Sequence, residues 1–116
     1  KIDIFGLFQD GNLIGEIHVA YVHSDERFAV RNKRVYLFAF RVHEDFQGKG
    51  YGQFLMNEVV SILSEKGYSE FTIGVEDDNE MAIHIYSKLG FTQLIGRISE
   101  KYQDDSYEYG LYLRSL

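Results

Sequence analysis

The chain has 116 residues, 45% apolar and 16% aromatic, which suits one folded domain spanning 1–116 and excludes a disordered tail. Eighteen acidic against 12 basic residues give a net charge of −6, which argues against nucleic acid as the main partner and suits a cationic substrate such as an amine, although acidic surfaces also serve solubility. With no cysteine, disulfides, thiolate nucleophiles and cysteine-ligated zinc are excluded; no apolar run approaches the roughly 18 residues of a membrane span and no signal-peptide pattern opens the chain, so a cytoplasmic protein with no membrane partner is expected.

Lys1 to Gln9 and Leu13 to Val22 are apolar, β-prone runs around Asp10-Gly11-Asn12, a hairpin signal. His23 to Arg34 is polar and reads mostly as a loop. Val35 to Val42 is nearly all apolar, as expected of a central strand buried on both faces. A polar exit, His43 to Gln47, leads into Gln47-Gly48-Lys49-Gly50-Tyr51-Gly52. From Tyr51, apolar residues fall at 51, 54, 55, 59, 62 and 63, the spacing of an amphipathic helix, and Lys66-Gly67 closes it. Glu70 to Val75 reads as a strand. Strand, helix, strand implies a right-handed crossover and parallel pairing of 35–42 with 70–75.

Asp77-Asp78-Asn79 are helix-start residues, and Ala82, Ile85, Tyr86 and Leu89 make the stripe of a second helix that Gly90 caps. Phe91 to Ser99 reads as a strand, Glu100 to Ser106 as a loop, and Tyr107 to Leu113 as a last strand pairing back antiparallel. There is no internal repeat, low-complexity tract or linker.

The glycine-rich turn leaves a strand and opens a helix, so it presents bare backbone N–H groups at a helix N-terminus. That is a site for a phosphate or pyrophosphate. It is not a Walker A loop, and the glycines at 48, 50 and 52 are not in dinucleotide-fingerprint order. A tight turn that merely caps a helix is the plainer alternative.

Two patterns in order carry a resemblance. Gln47, Gly50 and Gly52 fit the coenzyme loop, and Asn79 followed by Tyr86, Lys88, Gly90 and Phe91 fits the second motif, of the GNAT superfamily of acetyl-CoA-dependent N-acetyltransferases, which residues 35 to 91 resemble. The resemblance implies an α/β (α+β) mixed sheet with a splayed central parallel pair and antiparallel hairpins on either side. The strand and helices that usually open that fold have no counterpart before the first hairpin, so the resemblance implies an N-terminally truncated domain, a pocket wall supplied by another subunit, or a minimal domain. It further implies an acyltransferase that moves an acetyl group from acetyl-CoA directly to a primary amine of a small molecule or protein. A polyamine, an aminoglycoside, an amino acid, and a protein N-terminus or lysine are the candidate acceptors. A non-catalytic acyl-CoA-binding regulatory module and a nucleotide-binding domain are the rival functions.

Residue by residue, the resemblance assigns coenzyme contacts to Gln47, Gly48, Lys49, Gly50, Tyr51, Gly52 and Asn79, and to main-chain groups of Phe40 and Val42, with an amide near Phe40 or Arg41 polarising the acetyl carbonyl. Lys49 reads first as a solvated side chain that could add a charge-assisted contact, and Asn79 reads also as a helix cap. Tyr86 is the expected general acid for the departing thiolate; a core tyrosine is the alternative. Glu76 is the first candidate base, ahead of Glu44, His43 and Glu108. Tyr107 and Tyr109 are candidate acceptor-pocket walls. His18, His23 and His43 lack metal spacing and His84 faces away from Tyr86, so no metal is expected. A homodimer through the last hairpin would fit the family, and no residue here requires one.

Overall fold

Two positive-φ residues, Asp10 (φ 52°) and Gly11 (φ 81°), close the first hairpin, as the twist of an antiparallel pair demands. The computed structural model describes all 116 residues. The hairpin joins β1 (Ile2–Gln9) to β2 (Asn12–Ala20). After the polar loop come β3 (Arg34–Val42), a 3-10 turn (Glu44–Phe46), α1 (Tyr51–Glu65), β4 (Glu70–Glu76), α2 (Glu80–Lys88), β5 (Gln93–Tyr102) and β6 (Asp105–Ser115). The six strands form one sheet in the order β1-β2-β3-β4-β6-β5, with β3 and β4 its parallel pair. No helix is long and apolar enough to cross a membrane.

The main core lies on one face of the sheet. Ile17, Val19, Val35, Leu37, Phe71, Ile73 and Val75 meet Leu55, Met56, Val59, Val60 and Leu63 of α1, and Leu89 and Phe91 join them. The buried stripe of α1 thus includes Met56 and Val60, while Phe54 and Ile62, which the sequence pattern assigned to it, are exposed. In α2, Ala82, Ile83 and Tyr86 pack on the core and Ile85 does not.

A smaller cluster on the other face packs Phe28, Ile98 and Leu111 with Tyr36, Ile95 and Tyr109. The buried Thr72 hydroxyl donates to the Phe28 carbonyl (2.7 Å) and ties the 21–33 loop over that face. β3 is therefore not buried on both faces: Val35 and Leu37 are fully enclosed, while Tyr36 and Phe38 are half-covered. The expected loop at 100–106 is also corrected. The last two strands continue to Tyr102 and resume at Asp105, because the charged side chains between them stand outside a ladder that only the backbone needs to hold.

The decisive irregularity is in β3. Ile17 alone separates Glu16 from His18, whereas their partners Arg41 and Phe38 are separated by two residues. The extra residue is a β-bulge at Ala39, whose φ of 51° lies in the left-handed region. It shifts the side-chain phase by one. Before it Val35 and Leu37 face the helices; after it Phe40 packs against that core. Pairing of β3 with β4 stops at Leu37↔Ile73, and the two strands part beyond it. This is the splayed parallel pair that the resemblance implied.

Candidate active site

The glycine turn takes the shape its residues permit. Gly48 (φ 76°) and Gly50 (φ 85°) both sit in the left-handed region, and a Cβ at either would meet no atom within 4 Å. Gly50 is the N-cap of α1 and offers no side-chain cap. The first helical hydrogen bond runs from Phe54 N–H to the Gly50 carbonyl (3.0 Å), so the amides of Tyr51, Gly52 and Gln53 have no helical partner. No acidic residue occupies the first turn of α1. The helix dipole there is uncompensated, which favours an anion.

That helix start opens on a cleft of about 520 Å³. Its walls are Phe40, Val42 and Gly52 below, the turn at one end, and Ala82, Ile85 and Tyr86 of α2 opposite. A Cβ on Gly52 would lie 3.4 Å from both Phe40 and Val42, so α1 starts close against the bulged strand. Arg41 is the one charged side chain in the lining, and its guanidinium is engaged by Glu16 (2.6 Å).

Main-chain directions follow from β2. His43 N–H donates to the Ile14 carbonyl (2.7 Å) and the Arg41 carbonyl faces Gly15, so alternation turns the main-chain groups of Phe40 and Val42 toward the split. The side chain of Gln47 donates to the Val42 carbonyl (2.9 Å) and so ties the turn to the strand. Lys49 lies 5.9 Å from the Phe46 ring centroid.

Tyr86 stands where the cleft meets the gap between β3 and β4, and it lines both. Its ring lies 6.1 Å from that of Phe40 and 6.2 Å from that of Phe91. Burial pushes its pKa above the ordinary phenol value, so the hydroxyl is protonated throughout the neutral range.

The turn residues, Phe40, Val42 and Tyr86 thus converge. Asn79 and Glu76 do not join them. The Asn79 carboxamide oxygen accepts from Ala82 N–H (3.0 Å) and caps α2. Asn79→Ala should cost about 1 kcal/mol, read as a lower melting temperature, and Asn79→Asp should retain most of the stability. Glu76 lies in an acidic recess with Asp77, Asp78, Ser106, Tyr107 and Glu108. Glu44 and His43 line a separate recess with Asn12 and Leu13. Tyr109 is not in either recess: its ring covers Gly74. No group of three or more His, Asp or Glu side chains converges as metal ligands would.

Sequence reasoning did not single out Phe46, Ala82 and Ile85 as cleft walls. Ile85 was assigned by its spacing to the stripe of the second helix, yet it is 47% exposed and lines the cleft.

The parallel strand pair thus splits beside an uncapped, glycine-opened helix, with a protonated phenol in the split, in an α/β domain whose helix start favours an anion. Residues 3–91 match the Acetyltransferase (GNAT) family. The chain belongs to that family. It is 33% identical over 87 residues to a mycothiol acetyltransferase of Rhodococcus jostii, covering 75% of this chain and 28% of that protein. It is 30% identical over 106 residues to the streptothricin acetyltransferase of Streptomyces lavendulae, covering 90% and 52% respectively. The chain thus spans about half or less of these two relatives' lengths. A GNAT family acetyltransferase from Elizabethkingia anophelis, solved with acetyl-CoA bound, shares the fold at a TM-score of 0.75 and 17% identity, over 97% of this chain and 75% of that one. The ribosomal-protein-S18-alanine N-acetyltransferase of Escherichia coli does so at 0.76 and 22%, over 98% and 68%.

Proposed function

We propose that this domain binds acetyl-CoA and transfers its acetyl group directly to an amine of a small molecule or protein. The observation that carries this reading is the convergence of three features: the bare amides at the start of α1, the split of β3 from β4, and the protonated Tyr86 between them. The pyrophosphate would lie on the amides of Gly48, Gly50, Tyr51 and Gly52, beside Gln47 and Lys49. The pantetheine arm would run along Phe40 and Val42 and take hydrogen bonds from the main-chain groups that face the split, the Val42 carbonyl being shared with Gln47. Asn79, besides capping α2, would meet the coenzyme at the helix start.

In the transfer, the amine lone pair forms the C–N bond as the C–S bond breaks. The sulfur leaves as a thiolate and takes a proton from Tyr86. Attack is direct, in keeping with a chain that has no cysteine to carry the acyl group. The nitrogen must shed a proton on the acceptor side; Glu76, the first carboxylate the sequence suggests for this, stands at the end of β4 in the neighbouring acidic recess, outside the cleft.

Thermal unfolding with added acetyl-CoA tests the proposal. A rise in melting temperature that free coenzyme A reproduces and ATP does not is the expected result. Stabilisation by ATP alone would replace the proposal with a nucleotide-binding domain.

A further inference from the structure

The cleft offers no acceptor for the proton that an attacking amine must lose. None of its lining side chains is a carboxylate or an imidazole. The gap between β3 and β4 is equally poor: it is lined by Tyr36, Leu37, Phe38, Ala39, Phe40, Ile73, Gly74 and Tyr86, and its only polar side chains are two phenols.

Those phenols reach the gap from opposite faces of the sheet. Tyr86 comes from the helix face. Tyr36 alternates with Val35 and Leu37 and so lies on the other face, wedged between Phe28 (4.9 Å) and Phe38 (5.3 Å). Tyr36 and Tyr109 pack in the same cluster on that face, and Tyr109 donates to Glu100 Oε1 at 2.7 Å. Gly74 makes this reach available. A Cβ there would stand 2.8 Å from the Tyr109 ring, so only a glycine lets Tyr109 lie across β4 toward β3. Glu100 is exposed on β5 and open to water.

We propose that Tyr36, Tyr109 and Glu100 form the path by which the acceptor amine loses its proton, with Tyr36 touching the amine and the other two acting through it. The assignment rests on the acetyl-transfer reading and completes it. The bound ammonium first gives one proton to the Tyr36 oxygen, which frees the lone pair for attack, and a second N–H proton leaves by the same route as the C–N bond forms. The Tyr36 proton passes to Tyr109 and the Tyr109 proton to the Glu100 carboxylate, which releases it to water. On the other face the sulfur takes the Tyr86 proton, which water replaces.

Burial raises the pKa of Tyr36, and burial with the Glu100 carboxylate raises that of Tyr109. Neither phenol therefore rests as an anion, and each can only hand a proton on. The other titratable groups facing the path are His23, edge-on to Tyr36 at 6.2 Å, and Glu76, the register partner of Tyr109.

The test uses the full chain, acetyl-CoA and two probe acceptors. n-Butylamine is protonated near neutral pH, as a lysine side chain is, and hydroxylamine is largely neutral there. Glu100→Gln keeps an acceptor for Tyr109 and removes the base. It should lower kcat for n-butylamine about a hundredfold and affect hydroxylamine far less. Tyr36→Phe should show the same selectivity, and Glu100→Asp should recover part of the rate. Acetyl-CoA should stabilise every variant as it does the wild type.

Equal losses with both amines, an undiminished Glu100→Gln rate, or a selective loss found in Glu76→Gln instead would overturn the path. So would a wild type that acetyl-CoA stabilises but that acetylates neither probe; that outcome leaves the coenzyme reading standing. No stabilisation by acetyl-CoA would overturn both.

Discussion

Tyr86→Phe should lower kcat by about 10²–10⁴-fold while leaving acetyl-CoA-dependent stabilisation unchanged. The substitution deletes one oxygen and keeps the ring that packs between Phe40 and Phe91. Burial is the sole cause raising the Tyr86 pKa, with no hydrogen bond to another side chain involved, so the phenylalanine leaves no group in the folded chain unpaired. The fold and the coenzyme site should therefore survive, and only the proton for the sulfur is lost. The pH profile adds a check. A general acid works while it is protonated, and burial moves the Tyr86 pKa upward from 10.0. The alkaline limb that belongs to Tyr86 must then lie above the ordinary tyrosine range and vanish in the variant. A variant with wild-type kcat would remove Tyr86 from the chemistry and leave it a core tyrosine.

The site was legible wherever one short segment carries it. The glycines at 48, 50 and 52 stand together in the chain, and their backbone freedom is a property of the residue type. Tyr86 was legible for a similar reason, because helical spacing places it on the face that Ala82 and Leu89 bury. The bulge at Ala39 was not. Val35 to Val42 is almost uniformly apolar, so a slip of one residue in its phase leaves no trace in composition, and alanine is no marker for a positive φ. The length of the last hairpin was hidden by its charges. Glu100, Lys101, Asp104 and Asp105 resemble a loop, but an exposed ladder needs only backbone partners. Tyr109 was singled out only as a pocket wall, and its grouping with Tyr36 and Glu100 was beyond reach of local reasoning. They lie on three strands, and it is the order β3-β4-β6-β5, with a glycine at position 74, that places Tyr36 and Tyr109 in one cluster and Glu100 beside Tyr109.

Gly50→Glu should abolish stabilisation by acetyl-CoA in a protein that still folds. A ligand at 100 times its Kd adds about 2.7 kcal/mol, on the order of 10 °C for a domain of this size. The variant places a Cβ in a left-handed residue, at a strain of about 1–2 kcal/mol. Nothing lies within 4 Å of that Cβ, so no clash is added to the strain. The new carboxylate sits at the start of α1, where the dipole is otherwise uncompensated, and this offsets part of the cost. The same interaction destroys the site: the carboxylate takes the amides and the potential that a pyrophosphate would use. Gly50→Ala separates strain from charge. It carries the same φ penalty without the carboxylate and should keep a measurable acetyl-CoA shift. Loss in both variants would mean that the turn's conformation, not its open anion site, was what binding required. A full shift in Gly50→Glu would mean that the coenzyme's phosphates do not lie on the start of α1.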